Sequence, residues 1–116
     1  MTTQEVRQMI EEIGLPYAYY EFQEGTQQEP PFVCFFYEGR NDFFADGVNY
    51  QKIKGLVIEL YTDEPDLDKE NEIEELLTAH GLTYTTTEPE FIGSERMWKT
   101  KFTTDIIIDE RAETNV

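Results

Sequence analysis

Residues 31–63 read PFVCFFYEGRNDFFADGVNYQKIKGLVIELYTD, and the fold turns on how this stretch divides. Two apolar runs, 32–37 and 56–62, flank a polar segment that holds Gly39, Asn41, Asp46 and Gly47. Runs of this length bounded by turn formers predict paired antiparallel strands. Alternate side chains of a strand share a face, so Phe32, Cys34 and Phe36 point one way and Val33, Phe35 and Tyr37 the other. Both sets are apolar, which predicts a central strand covered on both sides. The chain's own helices supply one cover, and the other side is left for a partner.

The second run belongs to a longer segment, 48–62, read as one long strand or a bent pair. Gly55 marks a bulge or a close backbone approach within it. Beyond Gly55, Leu56, Ile58 and Leu60 share a face, while Val57, Glu59 and Tyr61 share the opposite one. Between the two runs lie Phe43 and Phe44, adjacent aromatics inside a turn-rich segment. Neighbouring residues of a strand project oppositely, so both cannot follow one face. Either they fold back onto the domain's own core or they form an exposed contact for another molecule.

Upstream, Val6, Met9, Ile10 and Ile13 recur at helical spacing, with Thr2 or Thr3 as cap and Gly14 and Pro16 as the stop. Residues 15–22 follow as an extended segment with Tyr17, Tyr19 and Tyr20, whose reading is half-buried packing or stacking. Residues 23–31 carry no periodicity and end in Pro30 and Pro31, an exposed connection. Downstream, Asp66 caps a second helix that ends near His80 with Gly81 beyond it. Its inner stripe is Ile73, Leu76, Leu77 and His80, and its outer surface carries Asp68, Glu70, Glu72, Glu74 and Glu75. Like charges four residues apart, Asp68 with Glu72 and Glu70 with Glu74, cost about 0.2–0.5 kcal/mol each in an isolated helix. Packing must hold this helix, and its outer face must stay wet. Residues 82–87 read as a short strand, 88–90 as a turn or edge, and 97–108 as a long final strand. There Trp98, Phe102 and Ile106 lie on one side, and Lys99, Lys101 and Asp105 mostly on the other.

The order of elements predicts an α+β fold, an antiparallel-rich β-sheet with two helices packed on one face. Residues 1–108 form a single α+β domain and 109–116 a flexible acidic tail. Phe32, Cys34, Phe36, Ile58, Leu60, Ile73, Leu76 and Leu77 are expected to be buried together between sheet and helices.

Twenty-five acidic and nine basic residues give a net charge of −16. Such a chain repels nucleic-acid phosphates and anionic membranes, whose binding rests on Lys and Arg. The charge serves solubility, a basic partner, or a surface that nucleic acid slides past without adhering. No apolar run approaches the ~20 residues that span a bilayer, and the start of the chain has no apolar signal region. The single cysteine, Cys34, reads as a small buried hydrophobe in a reducing compartment, so synthesis in the cytoplasm is expected.

Catalytic signatures are missing from the sequence. Cys34 and His80 are the only residues of their kinds, too few for a tetrahedral zinc site without carboxylates. Asp66, Asp68 and Glu70 imitate the start of a calcium loop, but Asn71 replaces the required glycine and Leu77 the closing carboxylate. No phosphate-cradling loop is present. No enzyme activity, metal or cofactor is expected.

Five phrases in order carry a resemblance: 14–19 (GLPYAY), 30–34 (PPFVC), 42–47 (DFFADG), 58–62 (IELYT) and 94–98 (SERMW). Together they resemble small minor tail proteins of long-tailed phages and prophages of Gram-positive bacteria. These are similar to the tail completion or tail terminator proteins that join tail to head. The resemblance spans roughly residues 14–108 and includes no catalytic motif. It implies a non-enzymatic virion protein forming a ring, commonly a hexamer, at the head-proximal end of the tail. Its partners would be the tail tube protein and the head–tail connector, with DNA passing the bore without tight binding. On that reading Phe43, Phe44, Val57 and Tyr61 are candidates for the self-assembly or tail-tube interface. The acids Asp68, Glu70, Glu72, Glu74 and Glu75 face the channel or a basic partner. The competing reading is a small acidic interaction or inhibitor module that imitates DNA charge, which should space its carboxylates along one convex face.

Overall fold

The computed structural model describes residues 1–22, 28–39, 43–45 and 48–108, with 43–45 and 48–52 described by their backbone. In chain order these hold α1 (Thr3–Glu11), β1 (Tyr17–Tyr19), β2 (Phe32–Glu38), β3 (Phe43–Ala45) and β4 (Val48–Thr62). α2 (Leu67–Ala79), β5 (Thr85–Thr86), β6 (Glu90–Ile92) and β7 (Met97–Ile108) follow. The fold is α+β, with a mostly antiparallel sheet. The predicted tail, 109–116, lies outside the described residues.

β4 organises the sheet. On one side it pairs antiparallel with β2, from Phe32 opposite Tyr61 to Glu38 opposite Gly55. On the other it pairs antiparallel with β7, from Thr62 opposite Trp98 to Lys52 opposite Ile108. The order is β1-β2-β4-β7-β5, with β6 also on β7 and β3 also on β4. At about 3.3 Å per residue a strand of fifteen residues reaches roughly 50 Å, and the molecule's long axis is 50 Å. β4 therefore runs the whole length. Its first residues extend past the described β2 and β7 ladders and pair with β3, Ala45 opposite Val48 and Phe43 opposite Gln51. This β3–β4 arm lengthens the molecule. The radius of gyration is 15.6 Å, against about 13 Å for a compact chain of this length.

One feature departs from the antiparallel expectation. β1 runs parallel to β2, with Tyr17, Ala18 and Tyr19 opposite Val33, Cys34 and Phe35. Parallel neighbours need a crossover rather than a tight turn.

The helix ends follow their sequence signals. The Thr2 hydroxyl accepts from the Glu5 amide and the Glu5 carboxylate accepts from the Thr2 amide, each at 3.1 Å, a capping box. The Asp66 carboxylate accepts from the Lys69 amide at 3.1 Å, and Gly81 leaves α2 with φ +73°.

Both helices cover one face of the sheet. Val6, Met9 and Ile10 of α1, and Ile73 and Leu77 of α2, join Leu56, Ile58, Leu60, Phe102 and Ile106 in a single core. Leu76 packs at its margin. From β2, however, that core takes Val33 and Phe35 rather than Phe32, Cys34 and Phe36. The expected face assignment of β2 is therefore reversed. Residues directly opposite across a ladder share a face, and the register sets Val33 against Leu60 and Phe35 against Ile58. His80 likewise leaves the inner stripe. It is an exposed C-cap whose Nε2 lies 3.3 Å from the Glu12 carboxylate, tying the end of α2 to the end of α1.

Gly55 is a close approach. A Cβ there would sit 2.9 Å from the Glu38 carbonyl oxygen, inside backbone that cannot rotate away. Gly55→Ala is expected to destabilise by about 1–3 kcal/mol, as overpacking does. A lower urea midpoint for the variant checks this, and an unchanged midpoint refutes it.

Candidate functional site

The face away from the helices is built by the other alternate residues. Register places Phe32 opposite Tyr61, Cys34 opposite Glu59 and Phe36 opposite Val57. The rings of Phe32 and Tyr61 stack with centroids 4.7 Å apart and planes at 11°. Phe22 meets Phe32 edge-on at 5.4 Å.

The segment after β1 reaches this face through an unusual backbone. Tyr20 has φ +68°, a left-handed conformation that costs a bulky residue about 1–3 kcal/mol. Its amide donates to the Phe35 carbonyl at 2.8 Å, and its ring stacks on Phe36 at 5.3 Å and 13°. These contacts hold the turn. Aromatic side chains thus do here what helices do on the other side, and Phe32, Cys34 and Val57 are buried. Tyr19 and Tyr20 remain about half exposed.

Beside the stacked pair lies a cleft of about 760 Å³. Phe32 and Tyr61 line it together with Tyr20 and Phe22 on one side and Glu95 and Met97 on the other. Glu59 also lines it. Its carboxylate accepts from the Tyr61 hydroxyl at 3.1 Å and lies 3.6 Å from Lys99 Nζ. Burial pushes the Tyr61 phenol well above its ordinary range, and the Glu59 charge pushes it further. The Cys34 thiol is raised to about 11 by burial first and then by the charges of Glu59, Glu21 and Glu95.

The Cys34 shift has a definite sign. Cys34 binds its proton more tightly in the folded state than in the unfolded chain, where its pKa is near 9. Its stabilisation is complete below pH 9 and is lost as pH rises to about 11. Two pH units correspond to about 2–3 kcal/mol. Denaturant unfolding from pH 8 to 11 should show this decline, and Cys34→Ala should flatten part of it. An equal slope in both proteins refutes the assignment.

The predicted site residues fall into three places. Tyr61 and Val57 share the aromatic face, but Val57 is fully buried and supports that face from beneath. Phe43 and Phe44 belong to β3 in the arm, and their side chains lie outside the described residues. On α2, Asp68, Glu72 and Glu75 are exposed, while Glu70 and Glu74 are partly buried. Burial, then Glu74 and Asp66, raises the Glu70 carboxyl. Glu72 pairs with Lys69 Nζ at 3.0 Å. Because α2 packs on the helix-covered face, its acids and the aromatic cleft lie on opposite sides of the sheet.

Sequence reasoning missed Tyr20, Phe22 and Glu59 as parts of one surface. The one local signal was Glu59 itself, a lone acid between Val57 and Tyr61 in an apolar strand. Among the described residues no group of three or more His, Cys, Asp or Glu is placed to hold a metal ion. No helix among them is long and apolar enough to cross a membrane. No family model matches the chain, and a search of characterised proteins gives no match.

Proposed function

We propose that this protein is a structural subunit of a phage tail. It closes with further copies into a ring, commonly of six, that caps the tail tube and joins it to the head connector. It has no catalytic role. The β3–β4 arm carries the reading. Residues 48–51 ladder to β3, and among the described residues no other strand pairs with them. A strand pair that extends past the described β2 and β7 ladders suits a subunit that completes itself against a neighbour. The resemblance of the sequence phrases between Gly14 and Ile108 supports the tail-completion reading. The net charge of −16 suits a bore that DNA traverses without adhering.

The distribution of acids weighs against a DNA-imitating inhibitor. Exposed carboxylates stand on α2, and others surround the cleft on the opposite side, rather than along one convex face.

The test pairs sedimentation velocity with electron microscopy. Purified protein should assemble into rings as concentration and salt rise. Particles from a phage lacking the gene should show heads and tails unjoined or tails of abnormal end structure. A monomer under all conditions, together with normal particles from the deletion, overturns the proposal.

A further inference from the structure

The cleft beside Phe32 and Tyr61 combines an aromatic floor with a one-signed rim. Glu21, Glu29, Glu59 and Glu95 line it, and among the described residues no Lys, Arg or His does. Lys99 lies 3.6 Å from Glu59, so one of the four carboxylates is partly compensated. The other three have no described cation within ion-pair distance. An isolated carboxylate at a wet rim gains little by itself, but several around one apolar floor create a negative potential where screening is weakened. The raised thiol of Cys34, buried at the cleft's base and held up partly by Glu59, Glu21 and Glu95, agrees with that field.

We infer that this cleft docks a basic segment of a partner protein, in which Lys or Arg alternates with an aromatic or aliphatic side chain. The floor of Phe22, Phe32 and Tyr61 takes the apolar side chain, and the glutamates take the cations. A second copy of this chain offers few cations to this cleft, with nine basic residues against twenty-five acidic ones. Nucleic acid is excluded by the same sign. The docking site needs no ring, so it stands or falls separately from the assembly proposed above.

The experiment records amide shifts of the isotope-labelled full chain on titration with three capped pentapeptides, Lys-Phe-Lys-Phe-Lys, Lys-Ser-Lys-Ser-Lys and Glu-Phe-Glu-Phe-Glu. The first should bind saturably, with the largest shifts at residues 20–22, 32–34, 59–61 and 94–97, and should weaken as salt rises. The serine peptide should bind more weakly, and the glutamate peptide should not bind. Glu21→Gln with Glu95→Gln should weaken the first peptide about fivefold, the scale of two exposed charge contacts. Glu72→Gln with Glu75→Gln, on α2, should leave it unchanged. These substitutions keep side-chain shape, and an undisturbed spectrum of the free variant verifies its fold. Absence of saturation overturns the inference. So do shifts centred on α2, or equal binding of the lysine–phenylalanine and lysine–serine peptides.

Discussion

Replacing Phe102 by alanine is expected to remove about 3–5 kcal/mol of stability, the usual cost of truncating a fully packed phenylalanine. Phe102 is completely buried and sits in β7 directly opposite Ile58 of β4, with Thr86 of β5 on its other side. It joins a core that includes Met9 and Ile10 of α1 and Ile73 and Leu77 of α2. The loss therefore has two parts, the transfer energy of the ring and the cavity left between sheet and helices. Domains of this size are stable by about 5–15 kcal/mol, so roughly a fifth or more of the total is at stake. A urea titration should show a lower midpoint at unchanged slope, and melting should fall by roughly 10–20 °C. Phe91→Ala is the matched control. Phe91 is also a β-strand phenylalanine and its ring lies 5.3 Å from Trp98, but it is 52% exposed. A change of about 0.5 kcal/mol or less is expected there. Similar losses at the two positions would mean that the face shared by Phe102 and Ile58 is not the core.

The second large effect concerns assembly rather than stability. Phe43→Ser with Phe44→Ser is expected to leave a folded monomer that cannot complete tails. Among the described residues the arm's β3–β4 pairing is separate from the β2–β4 and β4–β7 ladders that carry the core residues. Burial of each phenylalanine at a contact contributes roughly 1.5–3 kcal/mol. Losing both corresponds to about a hundredfold to ten-thousandfold weaker association. The charge of −16 opposes self-association at low salt. Screening shortens that repulsion to about 10 Å at 0.1 M salt. Wild type should therefore sediment faster as salt and concentration rise, and the double variant should not. Its melting temperature should stay near that of wild type, and it should fail to complement a phage lacking the gene. Unchanged sedimentation with normal infectious particles would make these aromatics local packing and leave the interface to be sought elsewhere.

Much of this architecture was legible locally. Thr2 or Thr3, Asp66 and Gly81 marked helix ends because each satisfies a backbone group or permits a left-handed turn within a few residues, and the structure chose Thr2. The three long strands followed from apolar runs between turn formers, and Gly55 announced a close approach. What the sequence left undecided was which side of β2 is the core. Residues 32–37 are apolar on both faces, so alternation gives no preference there. Only the long-range register of β2 on β4, Val33 against Leu60, makes the choice. The parallel placement of β1 and the left-handed Tyr20 that turns the chain onto the second face are of the same kind. So is the cleft, which gathers Tyr20, Phe32, Tyr61 and Glu95 from four separated parts of the chain. Short-range hydrogen bonds and propensities fix elements one at a time. Their pairing is decided by contacts between residues far apart in sequence, and no local pattern encodes those distances.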